Sequence, residues 1–236
     1  MRHFLKIFLP LFLLASCGQN NQLSIPIKSN DDSVFVLSKE IEAIKHSYTL
    51  RERDYALLYD LAERIKPYCD NFQGPDKSKL PEIYNFCAEM FRRRCYLENG
   101  RSCPIKQCKY RDDLIDCCLR AIPLSKETGD TLSLNYTNSL EFLAAAYEQL
   151  GKIDDAMKLR FEILAKYQKM YADWSDMPAF ALYDIGKTYE LAGDIKTANE
   201  YFNKVLSIQK RVESKFFTET IDSIRAFKRK NKLQLK

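Results

Sequence analysis

Apolar residues recur at helical spacing along almost the whole chain. Leu140, Leu143, Ala144, Tyr147 and Leu150 form one stripe, Gly151 interrupts it, and Ile153, Ala156, Leu159, Ile163 and Leu164 begin another. Steps of three and four residues put each set on one face of a helix. Gly151, in a left-handed conformation, ends the first helix and lets the second fold back on it as a hairpin. Asn138, with Glu141 three residues on, has the form of a capping box opening the first helix. The pattern then returns 42 residues later: Leu143, Ala144, Tyr147, Gly151, Ala156, Ile163 and Leu164 are matched by Ile185, Gly186, Tyr189, Gly193, Ala198, Val205 and Leu206. Ala144 and Ala156, like Gly186 and Ala198, are small where the two helices of a hairpin cross, so their axes approach closely. A fixed period of this length predicts stacked units, none of which buries its apolar face alone.

These residues resemble the tetratricopeptide repeat family. The second copy carries the better match, with Leu182, Ile185, Gly186, Tyr189, Gly193, Ala198, Phe202 and Val205 at the signature offsets. The first departs from it, with Arg160 where a large apolar residue is usual and Ile163 where a small one is. A 42-residue unit looks like the longer repeats of kinesin light chains. The resemblance implies an all-α fold of stacked antiparallel hairpins in a right-handed superhelix, with a partner-binding groove lined by each first helix. By position, Asn138, Glu141, Ala145 and Glu148 line it from one repeat, and Phe180, Tyr183, Lys187 and Glu190 from the next. The set of lysines and asparagines with which some relatives clamp a C-terminal carboxylate is missing.

Either side of this pair of repeats, at 129–214, the pattern is looser. Residues 33–128 read as degenerate helical repeats: Val34 to His46, Asp54 to Tyr68, and a helix from Pro81 to about Glu98. Leu114, Cys118 and Ala121 fall one period before Ala156, Arg160 and Ile163, so Tyr110 to Leu124 reads as the second helix of an earlier repeat, split from its first by a cysteine-bearing insertion, Asn99 to Lys109. Residues 215–236 form a basic amphipathic helix and tail in which Phe216, Phe217, Ile221, Ile224 and Phe227 share a side, the expected cap for the last apolar face. Its basic surface is a solvated tail or a contact for anionic headgroups or an acidic partner. Trp174, in the connection between the two good repeats, reads as a packing residue.

The start of the chain has a different character. Arg2 and Lys6 precede an apolar run, Ile7 to Ala15, that is too short to span a bilayer and reads as a signal peptide over residues 1–16. Leu14, Ala15, Ser16, Cys17 and Gly18 resemble a bacterial lipobox. That resemblance implies acylation of Cys17, and Gly18, where a retention signal would place aspartate, implies the outer membrane, facing the periplasm. Residues 17–32 are polar and aperiodic, a tether behind the anchor.

Composition narrows the chemistry. Apolar residues make up 46%, with only 7 Gly and 8 Pro, as a helical globular protein requires, and a formal charge of +5 gives no argument for nucleic acid. Besides Cys17, the cysteines are Cys69, Cys87, Cys95, Cys103, Cys108, Cys117 and Cys118, an odd set. In an exported protein this density predicts disulfides, with Cys103 and Cys108 bridged to helix cysteines such as Cys95 and Cys117. Vicinal Cys117 and Cys118 are expected as one core and one half-exposed residue. A metal or thiol-redox role lacks the Cys-x-x-Cys spacing, and the only histidine outside the leader, His46, lies outside the cysteine cluster. Asp112 with Asp113, and Asp154 with Asp155, open predicted helices, where carboxylates suit the dipole. The chain therefore reads as a non-enzymatic, cofactor-free, lipid-anchored adaptor for another envelope protein or peptide, or for a second copy of itself. The alternative is an exported ligand-sensing module working with a separate signalling partner.

Overall fold

The computed structural model describes residues 30–45, 52–98, 107–173, 175–209 and 218–233. Cys17, the leader and tether, His46, Cys103, Trp174, Phe216 and Phe217 lie outside the described residues. Within them all regular structure is helical: α1 (Asn30–Lys45), α2 (Glu52–Asp70), α3 (Leu80–Glu98), α4 (Arg111–Glu127), α5 (Leu134–Gln149), α6 (Ile153–Met170), α7 (Asp176–Leu191), α8 (Ile195–Gln209) and α9 (Thr218–Lys230). Helices pair in chain order into hairpins, α3 with α4, α5 with α6, α7 with α8, and each hairpin stacks on the next. The predicted all-α array of antiparallel hairpins is the fold, and the insertion falls between the two arms of the α3–α4 hairpin.

Helix ends follow the repeat. Gly151 and Gly193, one period apart, both take positive φ, +77° and +81°, which glycine adopts without steric cost. Helix α5 begins earlier than the Asn138–Glu141 pattern indicates. Ser133 is its N-cap, its hydroxyl accepting from the Tyr136 amide at 3.2 Å, and Asn138 lies inside the helix. Glu141 instead accepts from the Tyr167 hydroxyl at 2.8 Å. The carboxylate pairs Asp112–Asp113 and Asp154–Asp155 do occupy the first turns of α4 and α6.

Helix α4 is enclosed by α3 on one side and α5 on another, and this decides the cysteines. Cys95 bonds to Cys108, tying the end of α3 to the residues that lead into α4. Cys117 is not bridged: it is a free thiol with no exposed surface, placed against Cys87 of α3. Cys118 is equally buried and faces Tyr147 of α5, so the expectation of one half-exposed partner fails because neighbouring residues of α4 both meet packed helices. Burial pushes the Cys87 and Cys118 thiols well up, and burial followed by the Asp70 charge pushes Cys69 up to about 12. These thiols stay protonated and unreactive at neutral pH. Nearer the surface α2, α3 and α4 are joined by Lys66 of α2, which donates to Asp70 at 2.8 Å and to Asp116 of α4 at 2.7 Å, and by Tyr84 of α3, whose hydroxyl donates to Asp70 at 2.9 Å.

The cap differs from a third repeat in one respect. Helix α9 begins one period after α7, yet it buries Ile221, Ile224 and Lys228. On α7 the matched residues, Ala179, Leu182 and Gly186, pack towards α8. Helix α9 turns that same stripe back onto α8: Phe227 meets Phe202 at 4.7 Å between ring centroids, and the Lys228 ammonium donates to Asn203 at 2.6 Å.

Helices α7 and α8 approach closely at Gly186, where an added methyl would stand 2.6 Å from the Phe202 ring. Phe202 is held between Tyr183 and Phe227 and has little room to yield. Gly186→Ala recovers about 1 kcal/mol of helix propensity but overpacks the core by roughly 1–3 kcal/mol. We expect a net loss of stability, read as a lower urea midpoint; an unchanged or higher midpoint would show that the crossing has slack.

Candidate partner-binding surface

The polar centre of the array lies where the α5–α6 hairpin meets α7. Arg160 of α6 is 8% exposed, although it stands at the position filled by Phe202 in the next repeat. Its guanidinium forks onto Glu148 of α5, Nε to Oε1 at 3.0 Å and Nη2 to Oε2 at 3.2 Å, and its Nη1 donates to Asp184 of α7 at 2.9 Å. Thr188 of α7 closes the set by donating to Glu148 Oε1 at 2.6 Å. One cation thus joins three helices of two repeats through bidentate and charge-assisted bonds.

The carboxylates outnumber it. Asp184 keeps 37% of its side-chain surface, but crowding by packed atoms pushes its pKa up to about 6, with Glu141 and Glu148 adding to the shift and Arg160 opposing it. The fold therefore prefers a proton on Asp184 more strongly than the unfolded chain does.

The residues read as groove-lining are brought together on α5 and α7, but several already have partners. Glu141 is bound by Tyr167, and Glu148 by Arg160 and Thr188. Tyr183 is partly buried with its ring 5.7 Å from that of Phe202. Lys187, 44% exposed, donates to Glu190 at 2.6 Å, and Asn138, Ala145 and Phe180 are partly buried. Lys187 thus offers an open probe of this face, and Tyr183 is as much core as surface. Sequence reasoning missed Asp184 and Thr188. The available signal was Arg160 itself, since a cation at an apolar position requires acceptors from whichever helix packs over it.

The fold is a tetratricopeptide-like stack of antiparallel helical hairpins. The chain is similar in fold to the crystal structure of BtubC (BKLC) from P. vanneervenii, with a TM-score of 0.58 at 16% identity over 86% of this chain and 84% of that one. A putative kinesin light chain of Podosopora anserina with nearly identical TPR-like repeats aligns with a TM-score of 0.49 at 13% identity, over 87% of this chain and 99% of that one. No protein-family model matches the sequence, and no curated relative matches it.

Two outcomes test the network. Arg160→Leu leaves Glu148 and Asp184 without their cation and should lower the unfolding free energy by about 3–5 kcal/mol, with part of the loss recovered by adding Glu148→Gln and Asp184→Asn; a single variant as stable as the parent would remove the network from the fold's support. For Asp184 the folded pKa is raised, so its contribution to stability is complete below about pH 4 and is lost as pH rises towards about 6. Relative to Asp184→Asn, the parent should lose stability across that window and run parallel above it, as followed by urea unfolding at successive pH values; a difference that is flat from pH 4 to 7 would contradict the shift.

Proposed function

We propose that this chain is a non-catalytic adaptor of the bacterial envelope, anchored through acylated Cys17, that holds another envelope protein or peptide along the first helices of its hairpins. The observation that carries the reading is the Arg160 clamp: it fixes the α5–α6 hairpin against α7 and so presets the spacing of Glu141, Glu148, Tyr183 and Lys187 before any partner arrives. Preset surfaces bind without the ordering cost that a mobile one incurs. The lipobox-like leader and the polar stretch behind it supply the anchor and tether in this reading.

A photo-crosslinking residue in place of Lys187, in intact cells, should capture one dominant envelope protein, and the capture should disappear when the same residue is placed on the opposite arm at Lys158, which is 76% exposed. Cys17→Ser should move the chain from the membrane fraction to the soluble one. Capture of no protein from position 187 would overturn the adaptor reading in favour of ligand sensing; membrane retention of the Cys17 variant would overturn the anchor.

A further inference from the structure

The α5–α6 and α7–α8 hairpins share one register, so matched positions report how they differ. In the first, Tyr136 is the third residue of α5, and its side chain is wholly buried in the wedge between the second helices α4 and α6. Its hydroxyl donates to Glu162, and the ammonium groups of Lys126 and Lys166 stand 6.0 and 5.3 Å from its ring centroid. A tyrosine of the chain itself therefore fills this wedge, with a carboxylate at its polar end.

One period later Pro178 stands where Tyr136 stood, and the wedge between α6 and α8 is an open cleft of about 510 Å³, lined by Leu164, Pro178, Leu182, Tyr201, Lys204 and Ile208 among others. That volume is within the range of ligand sites, roughly 300–1,000 Å³. The walls keep their apolar character, since Leu164, Leu182 and Tyr201 replace Ile122, Leu140 and Leu159. The polar lining differs: Lys204 occupies the place of Glu162, its ammonium 4.3 Å from the Tyr201 ring centroid, and Asp173 and Gln168 also line the cleft. The backbone carries a trace of the same change. Ser133 caps the Tyr136 amide, whereas Pro178 has no N–H to offer, and the buried Ser175 hydroxyl has no partner among the described residues.

We propose that this cleft is a docking site for a tyrosine side chain presented by a partner polypeptide, the ring lying where Tyr136 lies in the neighbouring repeat and the hydroxyl accepting from Lys204. The apolar walls supply the burial that makes aromatic anchors effective, and the exchange of Glu162 for Lys204 suits a phenol oxygen acting as acceptor. The inference rests on the adaptor reading only in taking the tyrosine's source to be a polypeptide. Its site lies on the side of α7 that faces α6 and α8, apart from Lys187.

The test uses the chain from Cys17 onward, made with Ser at that position, and N-acetyltyrosine amide as probe in saturation-transfer NMR. Transfer to the ring protons is expected in the parent. Pro178→Tyr should abolish it while raising Tm by about 2–4 °C, because the introduced side chain fills the cleft and restores the capped amide; Lys204→Glu added to that variant should raise Tm further by rebuilding the Tyr136–Glu162 pair. Lys204→Met should weaken the tyrosine probe about fivefold and leave N-acetylphenylalanine amide unaffected. Absence of transfer, equal binding of both probes in the parent, or a Pro178→Tyr chain with unchanged or lower Tm would each overturn the proposal. Tighter binding of free 4-hydroxyphenylacetate than of the capped amino acid would overturn the polypeptide source. Crosslinking from position 187 in the Pro178→Tyr chain reads the adaptor surface separately: capture that persists there leaves the adaptor standing whatever the cleft does.

Discussion

A guanidinium placed between two hairpins is the constraint on which the stacking of this array turns. Removing an arginine from water costs several kcal/mol, and the cost is offset only if carboxylates meet it in good geometry. Here both oxygens of Glu148 and one of Asp184 do so, from helices on either side of the joint. The bond pattern is directional where an apolar contact is not, so the hairpins are held in one relative position. At the matched place in the next repeat Phe202 packs on Gly186 and on Phe227 of the cap. One position of the repeat thus joins successive units by charge in the first case and by aromatic packing in the second.

The parts of the fold that were legible in the sequence are those set by local stereochemistry. Gly151 and Gly193 end helices because positive φ is needed there, and Ala144, Ala156, Gly186 and Ala198 are small because axes cross there. The insertion between α3 and α4 was visible as a break in the period. What stayed hidden depends on neighbours distant in the chain. The start of α5 was misplaced by five residues because Asn138 and Glu141 have the composition of a capping box, while the cap is Ser133. Cys117 and Cys118 were misjudged because helical periodicity describes one buried face, and α4 has packed helices on two. The groove positions were placed on the correct helices, but nothing local shows that Glu141 and Glu148 are already bound by Tyr167 and Arg160.

The last helix shows how an array is closed. A first helix in this architecture has two apolar obligations, to the hairpin before it and to its own second helix. Helix α9 keeps the period but satisfies both with one stripe, Ile221, Ile224 and Phe227, laid on α8. Lys228 falls where Gly186 and Ala144 admit a crossing helix, and its ammonium on Asn203 fills the space instead. The outward side carries Asp222, Arg225, Arg229 and Lys230, a polar surface of the kind a terminal repeat needs for solubility.

Repeats diverge under one restriction: a side chain may be dropped from a joint only if the array tolerates the space it leaves. Tyr136 and Pro178 mark such a difference: the second repeat lacks the ring, the hydroxyl and the capped amide of the first. The array tolerates it because the joint between α6 and α7 is carried elsewhere, by Arg160 on Asp184, and because Phe202 and Phe227 fix the far side of α8. Ionic reinforcement in the middle of α6 therefore permits underpacking beside its following turns, at Leu164 and Gln168. The walls of the cleft occupy the positions that enclose an aromatic ring in the neighbouring repeat, and the proposed docking takes that repeat as its template.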